Sequence, residues 1–570
     1  MNWLLILIAI LIVLGILTYI YYILDKIITI GEYGFDIGYY IQLGYNEVKT
    51  IVYQILNTPV FIFGKKQKNL VESDYYHQYY YRDKPRKERQ VFPFIASAVI
   101  RNKSGELLFV GGTEGQSDGL LRYSPEDNKL VNIIANTGLN NTKYATLAAA
   151  VSDMNNNGLG DLVVARTNGV FIYLNKGDGT FSKHQIYGPF TDSSPSAISI
   201  SDFNKNGLLD IYISRFTHST KLNPFQFNNP DHPRYNILLE NIGNLKFEDV
   251  TKKMNAAGNQ NTFTSIFIDF GSGWPDLVLA HDTGRIEILR NIQGKRFESI
   301  IPEKTFGFWM GIGVGDYNNS GQFDLFFTNV GDTMPLTKTG GIRGSPEKGG
   351  LHKDQILTNK HMLLRNDGNY KFTDVSNEVD VGGGGFGWGA IMEDINLDGY
   401  VDIIFAQNYL YYSHQVLLPG AVLINQKGKK FKRIYKYTNK NYAHTPVMMD
   451  INGNGIKDIV WANIIGPVFG YLNENKDKNN WINIKLPENA QYANATVRLF
   501  IGEQQQIRQQ IYGGVGFGGD QSHLLSFGLG QNKKVDKIII ETIGGDKITI
   551  EDPTINKTIV INREGKRKLN

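Results

Sequence analysis

The sequence predicts an all-β chain: a seven-bladed β-propeller, then a small β-rich domain, with a membrane-spanning helix in front. Three observations carry this reading. A nine-residue Asp-x-Asn-x-Asn-Gly-x-x-Asp pattern recurs, each time followed by an apolar β-type run. Between its copies lie short strands separated by Gly-containing turns, about four strands per repeat, which is the signature of a propeller blade. Residues 3–24 form an unbroken run without a charge.

The repeated loop comes first, because it sets both architecture and chemistry. Its five full copies place Asp153, Asn155, Asn157 and Asp161 at positions 1, 3, 5 and 9, then Asp202, Asn204, Asn206 and Asp210, then Asp316, Asn318, Ser320 and Asp324, then Asp394, Asn396, Asp398 and Asp402, and last Asp450, Asn452, Asn454 and Asp458. Oxygen side chains at this spacing in a tight loop can converge on one point. The backbone carbonyl at position 7 (Leu159, Leu208, Gln322, Tyr400 and Ile456) can join them, and the glycine at position 6 permits the sharp turn. An oxygen-only set of this kind suits Ca²⁺, which takes six to eight oxygens in flexible geometry. Mg²⁺, which demands a near-ideal octahedron, fits less well. Up to five Ca²⁺ sites are expected, with the three-carboxylate loop at 394 the tightest.

An EF-hand is the rival reading. It requires a bidentate Glu at position 12 and helices on both sides. Position 12 is Val164, Ile213, Phe327, Phe405 and Trp461 here, and β-branched and aromatic residues flank every copy. The loops therefore join strands. A single copy could be an ordinary Asp/Asn/Gly turn, but five copies in register argue for a ligand set.

After each loop come two strands, the second often ending in Asn, as at Asn175, Asn241 and Asn366. A Gly turn and a strand carrying Phe181, Phe247 or Phe372 follow. Two degenerate copies complete the count: Asp269 to Asp276 is one residue short and lacks the middle ligands, and the turn after Arg101 lacks the Asp pair. Repeats beginning near 101, 153, 202, 269, 316, 394 and 450 give seven blades, spanning 93–478.

These residues resemble FG-GAP/VCBS-type repeats, the calcium-loop blades also seen in integrin α-subunits. Residues 308–316 and 385–390 are similar to the strand that enters the loop in that family. The C-terminal part, 479–562, resembles the ASPIC/UnbV domain that follows such a propeller in cartilage acidic protein-like proteins. It does so through Trp481 to Leu486, Gly513 to Phe517 and above all Leu525, Phe527, Gly528, Leu529 and Gly530. It departs from that pattern at Thr542 to Gly545, where the family often has Trp-Pro-x-Gly, and at Gly518 to Gln521, where it has a Ser-Gln pair.

The ends set location. At about 1.5 Å per residue, residues 3–24 can cross a hydrocarbon core of about 30 Å. The run ends in Thr18 to Asp25 without a small-residue cleavage site, so an uncleaved anchor is favoured over a signal peptide. Loops with two or three carboxylates should bind Ca²⁺ modestly and fill where it is plentiful. That puts the propeller on the extracytoplasmic side (periplasm, cell surface or lumen). Residues 25–92 read as a linker, with a helical stripe of Ile41, Tyr45, Val48, Val52 and Ile55. The basic tail at 563–570 reads as a frayed end.

With no cysteine, disulfides, Cys-metal sites and Cys nucleophiles are excluded. A net charge of +4 over 570 residues, without a base-reading motif, gives no sign of nucleic acid. None of the 10 His sits in a zinc spacing, and no Gly-x-Ser-x-Gly elbow occurs, so no catalytic constellation is found. The glycines at 382–385 read as a crowded innermost strand. Insertions at 217–235 and 332–360 interrupt blades between the second and third strands, on the face opposite the loops. The sequence thus points to a calcium-binding scaffold for a protein or glycan partner on that opposite face. The alternative is an enzyme or enzyme accessory acting on polysaccharide or lipid at the cell surface.

Overall fold

The computed structural model describes residues 69–77, 94–102, 105–191, 193–217, 236–258, 260–331, 357–411, 414–416, 418–439 and 441–568. The anchor at 3–24 and the helical stripe at 41–55 lie outside them. Among the described residues the structure is all-β, with a 3-10 turn at Ala490–Tyr492, and no helix is long and apolar enough to cross a membrane.

Five four-stranded antiparallel sheets follow one another along the chain, beginning at Thr146–Ser152, Ser193–Ser201, Thr262–Ile268, Ile312–Gly315 and Gly387–Glu393. A seven-stranded sheet joins the start of the chain to its later part. It contains Ser97–Asn102, Gly105–Val110, Gly119–Ser124 and Lys129–Asn132, then Leu70–His77, then Asp458–Tyr471 and Tyr442–Met449. The first strand of each sheet lies against the first strand of the next, and Tyr442–Met449 returns to Ser97–Asn102. The first strands therefore line a central axis, as in a β-propeller.

Burial explains the apolar runs. Each sheet is covered on both faces by its neighbours, so every residue of Thr146–Ser152 and of Asp161–Arg166 is buried. Apolar clusters mix adjacent sheets: Ala98, Ile100 and Phe109 pack with Val151, Leu162 and Val164.

Two boundaries differ from the sequence reading. Leu70–His77, expected within the linker, pairs antiparallel with the end of Asp458–Tyr471 (Leu70 with Tyr471, Glu72 with Phe469) and parallel with Lys129 and Leu130. Val71, Tyr75 and His77 are buried, and the Tyr75 hydroxyl donates to Ser117 O at 2.7 Å. An edge that local sequence leaves open is thus filled by a strand nearly 400 residues away. At the other end, Arg567–Lys568 pairs with Val560 and Ile561. The expected frayed tail is instead the closing hairpin of the C-terminal domain. The glycines at 382–385 also differ: they lie in a connection leading into Gly387–Glu393 rather than on the innermost strand.

The C-terminal domain has two four-stranded sheets, one around Asn480–Lys485 and one around Thr496–Ile501, closed on Ile482, Val497, Phe527, Leu529 and Ile538. The segments 218–235 and 332–356 lie outside the described residues. The strands that bear them, Asp210–Thr217 with Ile237–Asn241 and Asp324–Phe327 with Met362–Asn366, start and end at the aspartate loops, so both segments leave from the far ends.

Candidate metal loops and the domain that covers them

All five loops fold the same way, and their hydrogen bonds account for the pattern position by position. In the first, Asp153 Oδ1 accepts Asn157 N at 2.9 Å and Asp153 Oδ2 accepts Gly158 N at 2.8 Å. Asn155 Oδ1 accepts the same Asn157 N at 3.1 Å, so the oxygens of positions 1 and 3 are drawn to one point. The copies at Asp202, Asp316, Asp394 and Asp450 repeat these bonds within 2.7–3.2 Å. Position 5 closes its own turn, as Asn157 Oδ1 accepts Leu159 N. The glycines at position 6 have φ of +94°, +84°, +83°, +97° and +86°, the left-handed region that favours glycine.

The ninth position is structural as well as a candidate ligand. Asp161 Oδ2 accepts Met154 N at 3.0 Å, and Asp161 Oδ1 accepts Asn175 N at 2.8 Å. Asp210, Asp324, Asp402 and Asp458 do the same for Asn241, Asn366, Asn425 and Asn473. Each ninth aspartate thus ties its loop to the end of the third strand, and Asn is used there because its side chain adds two bonds: Asn175 Nδ2 donates to Gly160 O at 3.1 Å and Asn175 Oδ1 accepts Gly177 N at 2.9 Å, as Asn241 and Asn425 repeat. The degenerate copy keeps half of this: Asp276 accepts Asn291 N at 2.7 Å, but its other oxygen takes the Tyr370 hydroxyl at 2.8 Å.

Electrostatics favour a cation here. Burial pushes Asp161 up to about 7, Asp324 to about 8 and Asp394 to about 7, and lifts Asp210, Asp402 and Asp458 well above the usual carboxylate range. The first aspartate of each loop adds like-charge repulsion to the ninth. The donor set fits a hard cation, with one qualification. Among the described residues no three His, Asp or Glu side chains form a metal-ligating cluster. Asp394, Asp398 and Asp402 therefore make no carboxylate cage, and an ion in any loop would lean on amide and carbonyl oxygens.

The first loop is distinct. The guanidinium of Arg563, from the C-terminal domain, pairs with Asp153 Oδ2, and Arg563 Nη1 donates to Asn156 O at 2.7 Å. Among the described residues no Lys or Arg forms an ion pair with the aspartates of the other four loops.

The C-terminal domain sits on the loops. A Cβ built on Gly321 would lie 2.0 Å from Gln505 Nε2, one on Gly399 3.1 Å from Gln506 Nε2, and one on Gly455 2.4 Å from the Trp481 ring. Asn483 Nδ2 donates to Gly455 O at 2.7 Å, Gly530 N to Leu397 O at 2.8 Å, and Asp153 N to Glu488 O at 2.7 Å. The glycine of four loops thus serves twice, for the turn and for close approach of the second domain. Gly207 meets nothing within 4 Å, so the loop at 202 is open at that point.

From this docked domain residues 512–522 run down the axis. Ile200 N donates to Tyr512 O, Thr264 Oγ1 to Gly514 O, Ala149 N to Gly518 O, and Asp520 N to Ser97 O. Gly516 exchanges bonds with Ile312 and bridges Ala390, and Ser522 N donates to Met448 O. Every first strand of the ring is touched. Gly514, with φ +80°, would place a Cβ 1.8 Å from Ser265 O, so no larger residue passes there. At the tip Phe517 is fully buried among Phe94, Phe263, Trp388 and His444. The root is clamped by His523, whose Nε2 hydrogen-bonds Asp520 at 3.1 Å and whose Nδ1 lies 3.2 Å from the Glu488 carboxylate as an ion pair. Burial alone would lower its pKa, but these carboxylates raise it to about 10.

Sequence reasoning found all five loops but missed Arg563, Gln505, Gln506, Trp481 and the axial segment. One signal was present: five glycines within 513–519 around Phe517 mark a chain that needs close backbone approach.

Two known families match parts of the chain. Residues 153–213 match the FG-GAP-like repeat, and residues 486–568 match ASPIC and UnbV. No curated protein matches the chain. Among solved structures it is similar to an Agrocybe aegerita lectin (16% identity, 68% of this chain and 92% of that chain, TM-score 0.37). Others are Saccharomyces cerevisiae Sqt1 (11%, 68% and 99%, TM-score 0.38) and the Dos1 propeller (12%, 64% and 75%, TM-score 0.37). The chain is an all-β protein, a ring of sheets followed by a C-terminal domain, that is similar to the FG-GAP-like repeat over residues 153–213 and to ASPIC and UnbV over residues 486–568.

Proposed function

We propose that this protein is a membrane-anchored, extracytoplasmic binding scaffold: a seven-bladed propeller stabilised by Ca²⁺ in its aspartate loops and presenting its far face to a protein or glycan. The blade count follows if the seven-stranded sheet is divided into a first blade (97–132) and a last blade. The last blade takes its outer strand from Leu70–His77, which closes the ring. The anchor rests on the apolar run at 3–24. Calcium rests on five oxygen-rich loops with buried, mutually repelling aspartates. Asp153, Asn155, Asn157, the Leu159 carbonyl and Asp161 would hold the first ion, and the matching positions the others.

The observation that carries the scaffold reading is the filled axis. A propeller that works on a small substrate needs space among its convergent strands. Here that space holds residues 512–522 and the aromatic cluster around Phe517. Recognition is left to the outer surface. The C-terminal domain covers much of the loop face, which favours the far face, where the segments 218–235 and 332–356 leave their strands. Long inserted segments of this kind are commonly functional.

The test is capture of partners from the native membrane fraction by wild type and by a variant lacking 340–350, each with and without chelator. The proposal expects capture to fall in the variant while the calcium-dependent rise in melting temperature is kept. Unchanged capture would overturn the far-face assignment.

A further inference from the structure

We propose that the outer edge of the sheet beginning at Gly387–Glu393 is a docking surface for the anionic headgroups of the membrane that holds the chain. This surface presupposes the N-terminal anchor proposed above. Charge marks the edge. Residues 403–449 carry seven Lys and Arg and no Asp or Glu, in a chain whose net charge is +4, so the remainder of the chain is net negative. Lys427, Lys429, Lys430, Lys432 and Lys436 are exposed, and among the described residues none of the five forms an ion pair.

The fold gathers these lysines on one edge. Three of them sit in the turn between Ala421–Asn425 and the outer strand Phe431–Ile434, and the other two on that strand and just beyond it. Asn425 pins the turn: its N donates to Asp402 Oδ1 at 2.7 Å, and its Oδ1 accepts Gly428 N at 2.7 Å. Phe431 is buried and its neighbour Lys432 exposed, as strand alternation requires. Lysine on an edge strand guards it against pairing with another chain, which accounts for Lys432. It accounts neither for the turn nor for the missing acids. The outer strands Phe247–Asp249, Phe297–Ile300 and Phe372–Asp374 carry Glu248 and Asp249, Glu298, and Asp374.

Position selects the partner. Lys436 Nζ lies 4.2 Å over the Tyr437 ring, that ring is 5.8 Å from Tyr471, and Tyr471 is the strand partner of Leu70. The basic edge therefore adjoins the point where the chain arriving from the uncharged run at 3–24 enters the sheets. A surface tethered to a bilayer through that point meets it at high effective concentration, so individually weak contacts suffice. Clusters of lysine beside a membrane segment are drawn to anionic lipid. Ile434, Tyr435 and Tyr437 are half-buried among the lysines, and amphipathic rings of this kind suit the headgroup level.

The test uses the full chain reconstituted into vesicles of phosphatidylcholine with phosphatidylglycerol, or of phosphatidylcholine alone. The chain has no cysteine, so Lys430→Cys gives a single labelling site, and His184→Cys gives a control on the exposed outer strand of another sheet. A fluorophore at each is read for quenching by a nitroxide carried on a lipid headgroup. Quenching at 430 above that at 184 is expected with phosphatidylglycerol only, and high salt should remove it by screening. Replacing Lys429 and Lys432 by Gln should weaken docking about fivefold per charge and leave the melting temperature unchanged. Equal quenching at 430 and 184, or quenching at 430 indifferent to phosphatidylglycerol, would overturn the proposal. So would capture on dextran sulfate without quenching on the vesicles, which would assign the edge to a polyanionic glycan. Flotation with phosphatidylcholine alone reports the anchor. A chain that floats there without quenching at 430 keeps the anchor and refutes the edge. One that sinks there yet floats with phosphatidylglycerol and is quenched at 430 keeps the edge and refutes the anchor.

Discussion

Truncating Phe517 to alanine tests whether the C-terminal domain and the propeller unfold as one body. The Phe517 ring centroid lies 5.2 Å from Phe94 and from Phe263, 5.7 Å from Trp388 and 4.6 Å from His444. Removing a fully buried phenylalanine costs about 3–5 kcal/mol. The upper half of that range applies, because the walls are strands fixed in sheets and collapse little. Each aromatic contact is also worth about 0.5–1.5 kcal/mol beyond its area. A loss of about 4–5 kcal/mol is a large part of a typical domain stability of about 5–15 kcal/mol. Phe517→Leu keeps most of the volume and should cost about 1–2 kcal/mol. Urea unfolding would be followed by tryptophan fluorescence, with Trp274, Trp309, Trp388 and Trp461 in the propeller and Trp481 in the C-terminal domain, and by far-ultraviolet circular dichroism. Coincident transitions that move together in Phe517→Ala are expected. A variant that loses less than about 1 kcal/mol, or whose two probes separate while the propeller midpoint stays fixed, would refute the axial segment as the coupling element.

Four further outcomes follow from the loops. Asp161→Ala strands two backbone donors, Met154 N and Asn175 N, and should cost about 2–5 kcal/mol; Asn157→Ala should cost under about 1 kcal/mol and act on ion binding, as thermal melts with and without chelator would separate. If the loops bind near millimolar, 10 mM Ca²⁺ should stabilise by about 1.4 kcal/mol per filled site through mass action, and a melting curve indifferent to chelator would count against metal. Because burial holds Asp161, Asp324 and Asp394 near 7–8 against about 3.9 unfolded, the folded state without metal binds more protons between these values. Its stability should therefore fall as pH rises from 4 to 8, and Ca²⁺ should remove that fall; a metal-free melting temperature that rises over the same window would contradict it. Arg563→Ala should cost under about 1 kcal/mol, since the arginine side chain is 42% exposed and screened, yet should tighten Ca²⁺ at the first loop in a calorimetric titration by freeing Asp153.

Much of the site was legible because its information is local. A loop that folds by Asx-type bonds between residues two to five apart writes its pattern into nine consecutive positions, and its glycine at position 6 marks the left-handed backbone. The Asn closing the third strand was visible as a recurrence, although its reason, the side-chain bonds to the loop carbonyl before the ninth aspartate and to the following turn, was not. The partners of the loops were hidden. Arg563 lies 410 residues from Asp153, and Gln505 and Trp481 have no spacing relation to the glycines they touch. The strand Leu70–His77 was read as linker because most of its pairing comes from residues 466–471.

By itself the sequence determined the all-β class and the repeat with its oxygen-rich loops, which depend on backbone preference and side-chain period acting over a few residues; the C-terminal domain after the repeats was legible through its resemblance to a known family. Tertiary structure alone decided that the C-terminal domain covers the loops, that residues 512–522 fill the axis, and that Leu70–His77 completes the last sheet. Each of these joins surfaces far apart in the chain, and complementarity between distant surfaces leaves no periodic trace in either one.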